Sequence, residues 1–236
     1  LLHRFLVHPC RGAGKPGPAN VGKWKNENGK WKRKGCWKGL TRDDLMRRNP
    51  GPYLFLLVLF FLSRVVAWVA GVRFDVQMLE GAWQLLDTEL LRERLFESLV
   101  YLHAQPPLFN VLTGIILKLP VSQFLLHLFM FSCGALLVFA FYELLRFLRI
   151  NEWLAAGIVS VFLIVNPSFI LYEHLYFYDY PLAAFAAFAG VLLWRGVERQ
   201  SWRWLAGFFA VLMVLMLTRS LFHPLWYLVI AGWIVW

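Results

Sequence analysis

YLFLLVLFFLSRVVAWVAGV, residues 53–72, is an apolar run of 20 residues whose one charge is Arg64. About 20 such residues, rising about 1.5 Å each, cover the roughly 30 Å hydrocarbon core of a bilayer. The stretch reads as a transmembrane helix. Ahead of it, residues 1–50 carry thirteen Lys/Arg against three Asp/Glu, and behind it residues 51–236 carry eleven of each. The net charge of +10 therefore lies in the N-terminal tail. A basic tail beside a span fixes orientation or touches anionic lipid. The start of the first helix is expected in the cytoplasm, and no nucleic-acid partner is expected.

Composition agrees with this. The 236 residues are 59% hydrophobic and 16% charged, against about 45–50% and about 25% in soluble domains. A soluble, disordered or collagen-like chain is excluded. Residues 1–50 form a basic cytoplasmic tail, expected to be mostly disordered because its Gly, Lys and Trp cannot bury a core. A short helix over 41–49 is expected there, with Thr41 as its cap. His3, His8, Cys10 and Cys36 lack the paired short spacings of a zinc site, and three cysteines make no disulfide framework. The chain opens on Leu and stops at Trp236 inside an apolar run, so it reads as a fragment truncated at its C-terminus.

Residues 51–236 read as an all-α, polytopic membrane domain. Over residues 73–107 Val76, Leu79, Trp83, Leu86 and Leu90 recur at steps of three and four, which predicts an amphipathic helix on the outer surface. Leu108–Leu119 is apolar but about 18 Å long as a helix, too short to span. The long first outer loop therefore runs over 73–120. Further spans are expected over 121–145, 153–170, 181–194 and 204–217, with a sixth opening at Leu225. The predicted inner loops hold Arg146, Arg149, Arg195, Arg199 and Arg203, whereas the outer loop 172–180 holds no basic residue, as the positive-inside rule requires.

This topology collects the unusual polar groups on one face. Asp75 follows the first span, His103 and Gln105 flank the Pro106-Pro107 turn, Glu173, His174 and Asp179 belong to the second outer connection, and Arg219 and His223 to the third. Ionisable groups at a membrane edge are costly and point to function. Each has a plainer reading: Asp75 as a helix cap, Glu173 and Asp179 as loop acids, Arg219 as an interface anchor, and His103 and His223 as hydrogen-bonded interface residues; Arg64 reads as a structural residue that pairs with a carboxylate or snorkels to headgroups. The aromatics Tyr172, Tyr176, Phe177, Tyr178 and Tyr180 read as an interface belt or as a sugar-stacking surface. The case for a site is convergence.

The order of Phe74-Asp75 after the first span, a long amphipathic loop and His103-Ala104-Gln105-Pro106-Pro107-Leu108-Phe109-Asn110 resembles the GT-C glycosyltransferases. Asn166-Pro167, Tyr172-Glu173, Asp179-Tyr180-Pro181 and Thr218-Arg219-Ser220-Leu221-Phe222-His223-Pro224 extend the likeness. Within that class the chain is similar to the family 39-like bacterial enzymes, related to protein O-mannosyltransferases and lipid A aminoarabinose transferases. It departs from many relatives at Val76, where they carry Glu, and from some at Gln105, where they carry Lys.

The resemblance implies a GT-C-like bundle in a bacterial inner membrane. Its activity would be transfer of a hexosyl or pentosyl group from a polyprenyl-phosphate donor to an acceptor hydroxyl at the outer face. Asp75 would be the general base. Arg219, His223 and His103 would hold the leaving phosphate; Gln105, Glu173 and Asp179, with His174 beside them, would bind sugar or acceptor. No metal-ligand motif is present, and a divalent metal cofactor stays open, as do the sugar and the acceptor. The competing readings are a polytopic transporter subunit, which needs polar groups and broken helices at mid-bilayer, and a non-enzymatic membrane scaffold.

Overall fold

The computed structural model describes residues 23–25, 31–33, 49–81, 85–101, 106–219, 225, 229, 230 and 232. The chain divides into two compact units, Leu1–Arg48 and Asn49–Trp236. In the first, strands β1 (Lys23–Lys25) and β2 (Trp31–Arg33) pair antiparallel, with Trp24 opposite Lys32. These six residues are the part of residues 1–48 that the structure describes. The helix expected over 41–49 lies outside the described residues, except for Asn49.

The second unit is helical, with one isolated bridge. Helix α1 (Pro50–Val69) starts where Asn49 Oδ1 accepts from Gly51 N at 3.1 Å, with prolines in the first turn. It ends at Gly71, whose φ of 93° suits glycine. Leu56, Phe60, Arg64 and Ala67 face inward, while Val58, Leu62, Val66 and Val69 are exposed. A 20-residue helix with one buried and one exposed apolar face fits a lipid-facing position in a bundle.

Between α1 and the next long helix lie α2 (Met78–Gly81), α3 (Thr88–Glu93), α4 (Leu95–Val100) and α5 (Leu108–Leu117). The single amphipathic helix expected over 73–107 is thus corrected to short pieces. Asp87 Oδ1 accepts from Glu89 N at 2.8 Å and starts a new helix in mid-pattern. Asn110 Oδ1 takes Leu86 N at 3.0 Å. The period is reset, so Leu91 and Leu95 are buried while Leu90 is exposed. Gly114 on α5 admits them: a Cβ there would meet Leu95 Cδ1 at 2.5 Å.

The remaining helices are α6 (Ser122–Phe147), α7 (Glu152–Val159), α8 (Pro167–His174), α9 (Asp179–Arg199) and α10 (Trp202–Thr218). A π-helical turn, Ser160–Ile164, follows α7, and the chain bends by 56° into α8. Helices α1, α6 and α9 are long and apolar enough to cross a membrane, and the bent α7–α8 pair makes a fourth if counted as one span. Helix α10 has 17 residues, about 26 Å. Of the sixth expected span, Leu225, Val229, Ile230 and Gly232 are described, all helical.

At one end of the bundle Glu143 accepts from Tyr53 and from Arg195 (3.0 Å), and Arg146 pairs with Glu152 at 2.6 Å. The start of α1, the start of α7 and the ends of α6 and α9 therefore meet there. The other end gathers the end of α1, the start of α6 and the end of α8.

Candidate functional site

Asp75 is fixed at that second end by its backbone. Its N–H donates to His174 O at 2.7 Å, and its carbonyl accepts from Tyr176 N at 3.1 Å, a short parallel bridge to Leu175. The bridge ties the segment after α1 to the segment after α8, 100 residues on. The side chain is half-buried. Its Oδ1 accepts from Gln77 N at 2.8 Å, and Oδ2 has no hydrogen bond among the described residues. Asp75 lines an open cleft of about 610 Å³ with Arg73, Ser168, Tyr172 and His174. One carboxylate oxygen held and one facing a cleft is a geometry that can accept a proton.

An apolar groove of about 420 Å³ adjoins this cleft, sharing Val72 and Leu171 with it. It runs between α1, through Leu59, Leu62 and Val66, and the bent pair, through Val165 and Ile170.

Glu173 sits elsewhere than expected. It belongs to the last turn of α8 rather than to a loop, because Asn166 Oδ1 caps Ser168 N at 2.9 Å and Pro167 starts the helix. It is 0% exposed. Arg64 grips it with two donors, Nε to Oε1 at 3.0 Å and Nη2 to Oε2 at 2.6 Å, and Tyr180 donates to Oε2 at 3.0 Å. Arg64 Nη1 also donates to Ile164 O at 3.0 Å. The guanidinium thus joins both halves of the bent pair. Gly134 on α6 makes room, since a Cβ there would lie 2.2 Å from Glu173 Oε2. Arg64 therefore has a carboxylate partner inside the bundle.

Asp179 and Arg219 form a half-exposed ion pair, with Arg219 above the Tyr178 ring at 5.3 Å. Neither lines the cleft that holds Asp75. His103, Gln105 and His223 lie outside the described residues. Of the residues picked out in the sequence, Asp75 and His174 share a cleft, Glu173 faces inward, and Asp179 with Arg219 makes a separate pair. Phe109 of the Pro-Pro segment does reach this end: its ring stacks on Tyr176 at 5.2 Å. The Tyr176 hydroxyl lies 2.8 Å from Thr113 Oγ1, which itself donates to Phe109 O. Burial pushes the Tyr176 hydroxyl well above the ordinary tyrosine range, so it stays protonated and acts as the donor.

Sequence reasoning missed His127. Its ring stacks on Phe74 at 4.7 Å and lies 5.2 Å from the ring of His174. The available signal was Gln123 and His127, four residues apart and so on one helical face, in a first half of α6 whose other polar residues are serines. His174 Nδ1 bonds Ile170 O at 2.8 Å. A carbonyl only accepts, so Nδ1 carries the hydrogen and Nε2 is the free nitrogen. Among the described residues no group of three or more His, Cys, Asp or Glu is placed to hold a metal ion.

No family model, curated protein or solved structure matches the chain.

Proposed function

We propose that this protein is a membrane glycosyltransferase that moves a sugar from a polyprenyl-phosphate donor to an acceptor hydroxyl at the outer face of a bacterial inner membrane. The observation that carries the reading is the Asp75 cleft with an apolar groove opening beside it between spanning-length helices. The groove suits a lipid tail and the cleft suits its polar head. Asp75 takes the proton of the acceptor hydroxyl as that oxygen attacks the anomeric carbon. The leaving group is the lipid phosphate, which needs cations or hydrogen-bond donors. His174 is at hand in the cleft, and Arg219, His103 and His223 are the further candidates from the sequence. Gln105 and Asp179 remain candidates for sugar or acceptor hydroxyls. Glu173 serves this reading by holding α8, and through it the backbone partner of Asp75.

The test is Asp75→Asn, assayed by transfer of labelled sugar from a polyprenyl-phosphate donor in membranes with protein level measured alongside. Asn keeps an oxygen for Gln77 N and so keeps the turn, but it cannot take a proton. A general base contributes about 10²–10⁴-fold, so transfer should fall by at least about a hundredfold. Near-wild-type transfer at equal abundance would leave Asp75 as a turn former.

One observation favours a second reading. The 56° bend, the π turn and the buried Arg64–Glu173 pair are features of discontinuous helices in transporters. Donor-dependent sugar transfer by the purified protein distinguishes the two, because a transporter subunit would give none.

A further inference from the structure

Two imidazoles meet at the end of the bundle that holds Asp75. His127 comes from the second turn of α6 and His174 is the last residue of α8; their ring centres lie 5.2 Å apart, with the planes tilted by 53°. Both line a second cleft of about 400 Å³, together with Arg73, Phe74 and Gln123. Each ring is oriented by something other than its partner. His174 donates from Nδ1 to Ile170 O at 2.8 Å, which leaves Nε2 as its free, basic nitrogen. His127 stacks on Phe74 at 4.7 Å and 17°, and its ring nitrogens have no hydrogen bond among the described residues. Gln123 lies one helical turn before His127, on the same face. Charges of both signs are near. Arg73 is tied through Nη1 to the carbonyls of Trp68 and Val72. The adjoining cleft, which shares Arg73 and His174, carries Asp75 with one unbonded carboxylate oxygen. Glu173 is matched by Arg64 inside the bundle.

We propose that His127 and His174 hold a divalent first-row transition metal of the zinc class between α6 and α8. The spacing supports this. A zinc–nitrogen bond of about 2.0–2.1 Å places the metal roughly 3.2 Å from an imidazole centre, so two rings at a tetrahedral angle have centres roughly 5.2 Å apart. Metal-bound histidines as a rule donate their other ring N–H to a carbonyl, a carboxylate or water, as His174 does to Ile170 O. Paired imidazoles favour zinc, nickel or copper over magnesium and calcium, which take oxygen ligands. The Gln123 amide oxygen is the third protein candidate. Solvent completes the shell, so the metal keeps a position that an incoming ligand can take. The inference stands on the histidine pair and does not rest on the transferase reading.

The experiment uses the full chain purified in detergent without a histidine tag, stripped with a chelator, and measures equilibrium binding of radiolabelled zinc. His3 and His8 are replaced by Gln, and Cys10 and Cys36 by Ser, so that these tail residues offer no competing ligand. Saturable zinc binding is expected in this parent. His127→Gln and His174→Gln should each weaken it at least about tenfold, the least that even an outer-shell partner of a metal ligand is worth. Magnesium at the same concentration should not compete; if it does, the site is an oxygen site and the proposal fails. Thermal unfolding separates ligation from folding, because zinc should raise the unfolding temperature of the parent and of neither variant. Zinc binding that is absent from the folded parent, or equal in the parent and both variants, overturns the site. Should His174→Gln fail to fold, His127→Gln decides, because that side chain is half-buried and has no hydrogen bond among the described residues. No sugar transfer is measured, so this result and the Asp75→Asn result fail independently.

Discussion

Arg64 and Glu173 are 7% and 0% exposed, and removing one leaves the other charge in a low-dielectric interior. Breaking such a pair costs about 3–5 kcal/mol, whereas replacing both partners by apolar groups of similar size is often neutral or better. Thermal unfolding in detergent should therefore show Glu173→Gln well below the wild type and the double change Arg64→Met with Glu173→Met close to it. Gly134 belongs to the same unit. A methyl there would meet Glu173 Oε2 at 2.2 Å and Tyr180 Oη at 2.8 Å. Gly134→Ala should lower the unfolding temperature of the wild type, because the added methyl meets both side chains.

At the scale of elements, Asp87 decides where the surface segment breaks. It caps α3 through Glu89 N, and a cap of this kind is worth about 0.5–2 kcal/mol. Asp87→Ala should accordingly speed proteolysis between residues 85 and 95 while leaving α1 and α6 protected. The same residue explains what the sequence reading caught and what it lost. The apolar runs were legible as helices because length and polarity alone define them, and α1, α6 and α9 fall within a few residues of their expected bounds. Val76, Leu79, Trp83, Leu86 and Leu90 do recur at steps of three and four, yet a capping acid inside the pattern outweighed that period. Glu173 was read as a loop residue because Asn166-Pro167 looks like a turn. Here it is also a helix start, and the chain re-enters the bundle at an angle. Asp75 was legible from its place after the span; its pairing with Leu175 was not, because a backbone bridge across 100 residues leaves no trace in side-chain pattern. His127 was marked by its helical spacing from Gln123, but its contacts with Phe74 and His174 come from other elements and could not be read from that spacing.

For the whole molecule, the two ends differ in chemistry. One gathers Glu143, Arg146, Glu152 and Arg195 in ion pairs, and the other holds Asp75, His127 and His174. If the Arg-rich end is cytoplasmic, Leu90→Cys in a background without other cysteines should be labelled by an impermeant reagent applied to intact cells, and Glu198→Cys should not. A reporter fused after Leu119 should likewise read as extracytoplasmic, because the 10 residues of α5 are too few to cross. The opposite labelling pattern would move the Asp75 cleft to the cytoplasm and remove the topological basis for lipid-linked transfer at the outer face. The Arg64–Glu173 pair also imposes an order on biogenesis. The two residues are 109 positions apart, so at roughly 5–20 residues per second the arginine is made roughly 5–20 s before its counter-ion. During that interval the Arg64 guanidinium lacks the Glu173 carboxylate, at an insertion penalty below the about 2.5–3.5 kcal/mol of an arginine at a helix centre, since Arg64 is the fifteenth of twenty residues. The apolar majority of α1 outweighs that penalty only in part until α8 arrives, and stalling synthesis ahead of residue 173 should make α1 easier to extract from the bilayer than it is in the finished chain.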